Sequence, residues 1–366
     1  MTTPFTPETA RAWVDIDLAA LAENARTVAT VSGRPLMPMV KANGYGLGAI
    51  EVARALESVE PWGFGVATIE EGTALRRAGI TRPILIASPL LPADLERCHD
   101  QDLRPSIGDP VTLESWVSRS DRPFHVELDT GMSRGGVRWN DGEALDAMRA
   151  ALSSAGGWEG LYTHFHSAET DLGSVQLQWD RLQGVLATMP RRPALVHAAN
   201  SAAALRGTAF AADLVRPGIF LYGCKAGAVE PRPVVALRAR VVAVRSVEKG
   251  GTVSYGATWS AKRKTVIATL GLGYADGFPR ATREGRTARS RPTRVIEMGG
   301  HTNAVVGRVT MDLTMVAVGG HVAMGDVATV YGGIVSLDQQ AEAAGTISYE
   351  LLTGLGARLP RRYAGT

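Results

Sequence analysis

Lysine is scarce in this chain. Only Lys41, Lys225, Lys249, Lys262 and Lys264 occur among 39 Lys plus Arg, which leaves 34 arginines. Lys41 is the single lysine before position 225, and it directly follows the apolar run Leu36-Met-Pro-Met-Val40. A lysine at the end of a buried strand loses hydration. Its pKa falls, and its amine becomes a nucleophile able to form a Schiff base. Arginine, whose guanidinium stays protonated, has no such chemistry. The same position also suits a lysine whose stem packs on the strand while its head reaches solvent.

Other reactive side chains follow further apolar runs. Glu127, Asp129 and Arg134 lie within eight residues, and strand alternation puts both carboxylates on one face. That grouping fits a charged network at a site, or an ordinary structural ion pair. Thr163-His164-Phe-His166 carries two histidines at metal-compatible spacing, but no acidic or Cys partner has a matching local spacing, so no metal is expected. His197-Ala-Ala-Asn200-Ser201 and Arg216-Pro-Gly218-Ile219 combine small residues, a hydroxyl and a cation at loop-to-helix starts, which suits a phosphate. An N-cap at Ser201 and a tight turn at Gly218 explain these residues about as well.

These groups need elements to hold them. Eight short apolar runs precede residue 225: Leu36–Val40, Gly63–Ala67, Ile84–Ala87, Leu103–Ile107, Phe124–Leu128, Gly160–His164, Leu195–Ala198 and Leu214–Pro217. Each alternates with Ala-, Leu- and Arg-rich stretches of helical spacing. Eight such units fit a closed (β/α)8 TIM-type barrel better than an open sheet. Leu103–Ile107 is the weakest. In such a barrel the active groups stand at the C-terminal strand ends, where Lys41, Arg134, His164, Ser201 and Gly218 all fall. An amine nucleophile, late phosphate loops and charged groups at one mouth match the needs of a pyridoxal-phosphate enzyme.

After Pro231 the texture changes to Gly-broken β runs: Val234–Val247, Thr265–Leu272, Thr293–Met298, Ala304–Val309, Thr314–Val318 and Asp326–Tyr331, with a terminal helix over Glu350–Leu355. The expected division is residues 1–230 for the barrel and 231–366 for a mostly-β domain, an α/β architecture overall. Composition agrees with an ordinary globular chain: 45% hydrophobic, 20% charged, net charge +3. No basic footprint for nucleic acid stands out. Cys98 and Cys224 provide neither a disulfide framework nor a metal spacing. No leader or membrane span is read from the sequence, and a cytoplasmic enzyme is the expectation.

The motifs VKANGYGLG, HVELDTGMSRGG, YTHF, HAANSAA, VRPGIFLYG, VSYG, GLGYADGFPR and VGRVTMDLTMV occur in this order. With them the chain resembles the alanine racemase family from Trp13 to Tyr363. The resemblance implies a pyridoxal 5'-phosphate enzyme interconverting L- and D-alanine, the latter for peptidoglycan. It assigns Lys41 the covalent link to the cofactor. Tyr45, Ser201, Gly218 and Ile219 are assigned to its phosphate, with Asn200 lining that region. Arg216 would face the pyridine nitrogen, and Arg134 the phenolic oxygen and the substrate carboxylate. Tyr255 would be the second catalytic base, hydrogen-bonded by His164. Met311 and Asp312 would lie near the substrate carboxylate. Tyr255 and Met311 would reach across from a partner subunit, which implies a homodimer with shared sites. Two bases, one on each face of the α-carbon, can racemise without moving the substrate. Tyr255 needs its pKa of roughly 10 lowered for that role, by nearby positive charge or a hydrogen bond to the phenolate, and His164 and Arg216 are the expected source.

The chain departs from the family pattern in places. Glu127 stands where these racemases typically carry a lysine, often carbamylated. Glu also ends in a carboxylate, on a shorter stem, and is expected to orient Arg134 without carbon dioxide, either across a water-filled gap or by drawing Arg134 inward; the alternative is that Glu127 pairs with a different cation. Thr310, Ala357, Leu47, His166 and Ser133 depart as well, and Ala357 raises the alternative of a broad-specificity or serine-type racemase. A non-catalytic pyridoxal-phosphate-binding protein is disfavoured by Tyr255 and the C-terminal region. A decarboxylase of similar design is disfavoured by Arg216 and by the lack of any Cys after residue 224.

Overall fold

A computed structural model of the protein describes residues 9–280 and 293–365. Residues 1–8, on which the leader expectation partly rests, lie outside them. Eight parallel segments form a ring. Six are regular strands, hydrogen-bonded in chain order: Phe64–Val66, Ile84–Ile86, Arg104–Ile107, Phe124–Asp129, Trp158–Tyr162 and Leu195–His197. The other two join through single parallel bridges. Leu36 pairs with Val215, Met39 with Gly65, and Leu214 with His197. All eight apolar runs therefore sit in the barrel, the weak Leu103–Ile107 run included. Their texture follows from burial. The Phe64–Val66 and Ile84–Ile86 strands are buried throughout, so they read as continuous apolar runs rather than alternating ones; Phe124–Asp129 is buried throughout as well but alternates, with His125, Glu127 and Asp129 on one face.

Helices cover the outside, and their ends are written in the sequence. Asp17 caps the helix Leu18–Ser32 by accepting from the Ala20 N–H at 2.8 Å, and Gly33 ends it at φ 61°. Thr68 caps Ile69–Arg77, whose first turn holds Glu70 and Glu71 and whose last holds Arg76 and Arg77, each complementing the helix dipole.

The second domain is a sheet wound around the long strand Val235–Val247. The order Thr265–Leu270, Thr314–Val318, His301–Val305, Val295–Met298, Val327–Tyr331, Val235–Val247 closes on itself, because the first also pairs with the last. Closure removes exposed edges. The expected run Ala304–Val309 is shifted to His301–Val305. Gly299-Gly300, at φ 61° and 77°, makes a two-residue turn that pairs Met298 with His301. The terminal helix is Ser348–Thr353.

The division at residue 230 needs one correction. Ala12–Asp17 lies in the second sheet, not in the barrel. It runs antiparallel to Val235–Val247 and parallel to Arg361–Ala364. Its alternating face is weak as a sequence signal, and its partners are more than two hundred residues away.

Candidate active site

The first barrel segment ends in an unusual turn. Ala42, Asn43, Gly44 and Tyr45 follow Lys41 with φ of 53°, 54°, 61° and 52°. Left-handed conformations cost an L-residue about 1–2 kcal/mol each, so this turn persists only because its surroundings hold it. Gly46 N–H bonds to Ala42 O at 2.8 Å, and Gly48 N–H to Asn43 O at 2.9 Å. The Asn43 side chain accepts from Ala49 N–H at 3.0 Å. The turn aims Lys41 into a cavity of about 300 Å³ at the barrel mouth. Burial lowers the Lys41 pKa below its ordinary 10.5. Arg134 lowers it further, Glu71 opposes the fall, and Arg216 adds to it. That is the direction a nucleophilic amine requires.

The same cavity collects Tyr45, Glu127, Arg134, His164, Asn200, Ser201, Arg216, Gly218 and Ile219 from five strand ends. Ser201 opens a short helix. Its Oγ accepts from Gly218 N–H at 2.8 Å and so ties the seventh loop to the eighth. Asn200 is the N-cap of that helix, accepting from Ala203 N–H at 3.1 Å. The Tyr45 ring stacks on Tyr222, with centroids 4.3 Å apart. A Cβ at position 218 would lie 2.3 Å from the Tyr45 hydroxyl, so glycine there is required by the tyrosine, not by φ. The N–H groups of a helix's first turn have no partner within the helix, so this end of the cavity suits an anion.

Arg216 is buried, and a chain of hydrogen bonds fixes it. Its Nη1 lies 2.5 Å from His197 Nδ1. Its Nη2 donates to Thr163 O at 2.7 Å and Ala198 O at 3.2 Å, and lies 3.3 Å from His164 Nδ1. A guanidinium only donates, so His197 Nδ1 accepts and its Nε2 carries the proton. That proton points to His125 Nδ1 at 2.8 Å, and His125 Nε2–H then points to Glu159 at 3.1 Å. Arg104 closes the far end on Glu159 at 2.7 Å. Every donor meets an acceptor only if both histidines are neutral. Burial drives both pKa values down in that sense. Burial brings Arg216 down to about 10, which leaves it charged at neutral pH.

His164 is pushed down to about 3 by burial, then by Arg216, Arg134 and Lys41. It is a neutral hydrogen-bonding group, so of the two expected ways of lowering the Tyr255 pKa it is suited to the hydrogen bond and not to the positive charge. Asp129 is no partner for Arg134 either. Its carboxylate accepts from Gly131 N–H at 2.9 Å and Ser133 N–H at 3.0 Å, shaping the loop that carries Arg134. Glu127 hydrogen-bonds to Tyr162, whose hydroxyl lies 2.6 Å from Ser106 Oγ. Burial raises the Glu127 pKa, and Arg134 and Arg216 oppose the rise. Glu127 and Arg134 thus share the cavity and attract across it without a direct contact, as a shorter stem that leaves a gap would have it. The short stem stops at Tyr162.

Three expected residues are absent from this cavity. Tyr255 is 70% exposed and Met311 53% exposed, both on the second domain. Asp312 is held by Arg358 at 2.7 Å and Arg11 at 3.5 Å. Other lining residues escaped sequence reasoning. Tyr349 and Thr353 reach the cavity from the terminal helix of the same chain, and Glu169 from the loop after the sixth strand. Only the folded arrangement reveals them. His125 had a signal, since alternation puts it on the face of Glu127 and Asp129.

Comparison with known proteins agrees with the geometry. Residues 16–226 match the family model described as alanine racemase, N-terminal domain, and residues 234–363 that of the C-terminal domain. The alanine racemase of Deinococcus radiodurans is 38% identical, over 96% of this chain and 99% of that protein. The crystal structure of the Bacillus anthracis enzyme with bound L-Ala-P superposes with a TM-score of 0.88 at 30% identity, covering 100% and 97% of the two chains. That of Streptomyces coelicolor A3(2) gives 0.87 at 31%, covering 97% and 98%. Both domains are matched in order and the relatives share nearly the full length, so the chain belongs to the alanine racemase family.

Proposed function

We propose that the protein interconverts L- and D-alanine with pyridoxal 5'-phosphate, as a homodimer whose active sites each draw on both subunits. The observation that carries this is the meeting of Lys41, Arg216 and the Ser201–Gly218 anion end in one cavity. The donor set fits the cofactor. Lys41 would hold it covalently, Tyr45, Ser201, Gly218 and Ile219 would take its phosphate, and Arg216 would face its ring nitrogen. When bound, the cofactor supplies a carbonyl that condenses with amines and a ring that draws electrons from the substrate α-carbon.

The protein's part is to place bases and charges. Lys41, with its lowered pKa, moves a proton on one face of the α-carbon. Tyr255 of the partner subunit serves the other face. Its exposure, with that of Met311, supports this, as does a hollow beside it lined by Val242, Val253, Leu313 and Met315. Isolated in one chain, such aromatic and apolar groups would meet water; a second copy covers them. His164 offers its Nε2–H, since Arg216 occupies Nδ1. Arg134 is the cation for a substrate carboxylate, with Glu127 a carboxylate across the cavity. Arg216 presents only donors, so a ring nitrogen beside it keeps its lone pair and the ring draws electrons less strongly. That favours simple proton return over side reactions. Purified protein with pyridoxal phosphate and a chiral amino-acid panel tests the reading. Alanine should interconvert well above serine, lysine and arginine. Faster turnover of serine would transfer the assignment to the broader class, and binding without racemisation would overturn it.

A further inference from the structure

The left-handed turn after Lys41 is gripped at both ends. Beyond it, Arg361 donates to Gly46 O at 3.0 and 3.3 Å, and the Tyr363 hydroxyl donates to Leu47 O at 2.8 Å. Beside Lys41 itself the grip is Glu71. One carboxylate oxygen accepts from Ala42 N–H at 2.6 Å, and the other accepts from Ala67 N–H at 2.8 Å. Ala42 is the first left-handed residue after Lys41, and Ala67 follows the second barrel strand. A single carboxylate therefore joins the strained turn to the neighbouring strand end. Glu71 lies outside the cavity lining, so it acts through Lys41 and not on the reacting atoms.

We infer that Glu71 is a positioning residue with two parts: it anchors the turn that aims the Lys41 amine, and it is the anion that balances the cations around that amine. The inference rests on the Lys41 role given under Proposed function. The groups that act on Lys41 are Arg134 from the loop after the fifth strand, Arg216 from the eighth, His164 from the sixth, and Glu71 from the helix Ile69–Arg77; Glu127 from the fifth strand, Glu169 from the loop after the sixth and Tyr45 from the turn itself line the same cavity. Two of those that act on it are cations and His164 is neutral. Glu71 is the anion that acts on Lys41 most directly. Its removal tips the amine further toward the neutral form.

The test compares Glu71→Gln, Glu71→Asp and Thr68→Ala with wild type. Two quantities are read: the rate at which the loaded protein releases pyridoxal phosphate into a scavenger, and the pH at which cofactor affinity breaks as Lys41 titrates. Gln keeps one acceptor but loses the charge. Asp keeps the charge but is one methylene too short to bridge both N–H groups. Thr68→Ala loosens the same helix by removing its N-cap. In Glu71→Gln the affinity break should move down by about 0.5 pH unit or more. In Glu71→Asp release should quicken about tenfold, with the break near its wild-type position. Thr68→Ala should leave both near wild type. An unmoved break in Glu71→Gln overturns the counter-charge. Unchanged release in Glu71→Asp overturns the anchor, as does an equal effect in Thr68→Ala. Glu71→Asp also covers the case in which Glu71→Gln fails to fold. Lys41→Ala separates the two readings. If wild type forms no borohydride-reducible link that Lys41→Ala lacks, the cofactor role of Lys41 falls. If that link forms and both Glu71 variants match wild type, only the Glu71 assignment falls.

Discussion

Replacing His125 by Leu tests the hydrogen-bond chain behind Arg216. His125 is fully buried and bridges His197 at 2.8 Å and Glu159 at 3.1 Å. The substitution strands the buried His197 Nε2–H, while the part-exposed Glu159 keeps Arg104 at 2.7 Å. A buried donor left without a partner costs about 1–3 kcal/mol, so a loss of about that size at pH 7.5 is expected. The pH dependence gives a sharper signature. His125, His164 and His197 all have folded pKa values depressed below 6.5. The unfolded chain therefore binds protons that the folded chain refuses once pH falls below about 6.5. Their neutral burial is harmless above that pH and increasingly destabilising below it, by about 1.4 kcal/mol per pH unit for each histidine. Glu159, whose pKa is depressed from 4.5, begins to matter only at lower pH. Urea unfolding at pH 7.5, 6.5 and 5.5, at one protein concentration, measures the slope. Wild type should lose stability steeply below pH 6.5, and His125→Leu should lose it less steeply by about one histidine's share. Equal slopes, or a wild type indifferent to pH in this window, would refute the neutral-histidine chain.

Further outcomes follow from the site. Lys41→Ala and Tyr255→Phe should each abolish racemisation, and mixed dimers of the two should regain about a quarter of wild-type activity, because one of two sites in half the dimers is intact; no recovery on subunit exchange would count against shared sites. Glu127→Gln should raise KM for alanine about fivefold with a smaller change in kcat, as one carboxylate across the cavity from Arg134 is neutralised, and wild-type activity should not change in bicarbonate-free buffer; both are read by steady-state kinetics. Gly218→Ala should weaken cofactor affinity at least about tenfold by displacing the Tyr45 hydroxyl, measured by fluorescence titration with Tyr222→Phe as a comparison.

Much of the barrel was legible because its physics is local. Buried parallel strands show as apolar runs, and caps such as Asp17 and Thr68 mark the helices. The cavity residues were legible because a barrel presents chemistry at its strand ends. Three kinds of feature were not. Ala12–Asp17 finds its partners across the whole chain. Tyr349 and Thr353 belong to a helix whose sequence says nothing about the cavity it overlies. The protonation of His164, and the stem length that sends Glu127 to Tyr162 instead of Arg134, depend on surroundings that no motif encodes.

The place of Ala12–Asp17 has a consequence for how the chain assembles. In sheet terms the barrel is an insertion between the first strand of the β-domain and the next, Val235. During synthesis this strand emerges ahead of the barrel and waits through more than two hundred residues before its neighbour is made. The barrel can close on the ribosome, but the sheet is completed only when Arg361–Ala364 docks beside Ala12–Asp17. Excising residues 231–366 as a unit would leave that sheet one strand short, whereas a fragment from Leu18 to the linker would retain every barrel strand. A strand made after the β-domain thus locks one made before the barrel, and through Arg361 and Tyr363 that same docking event grips the turn that carries Lys41.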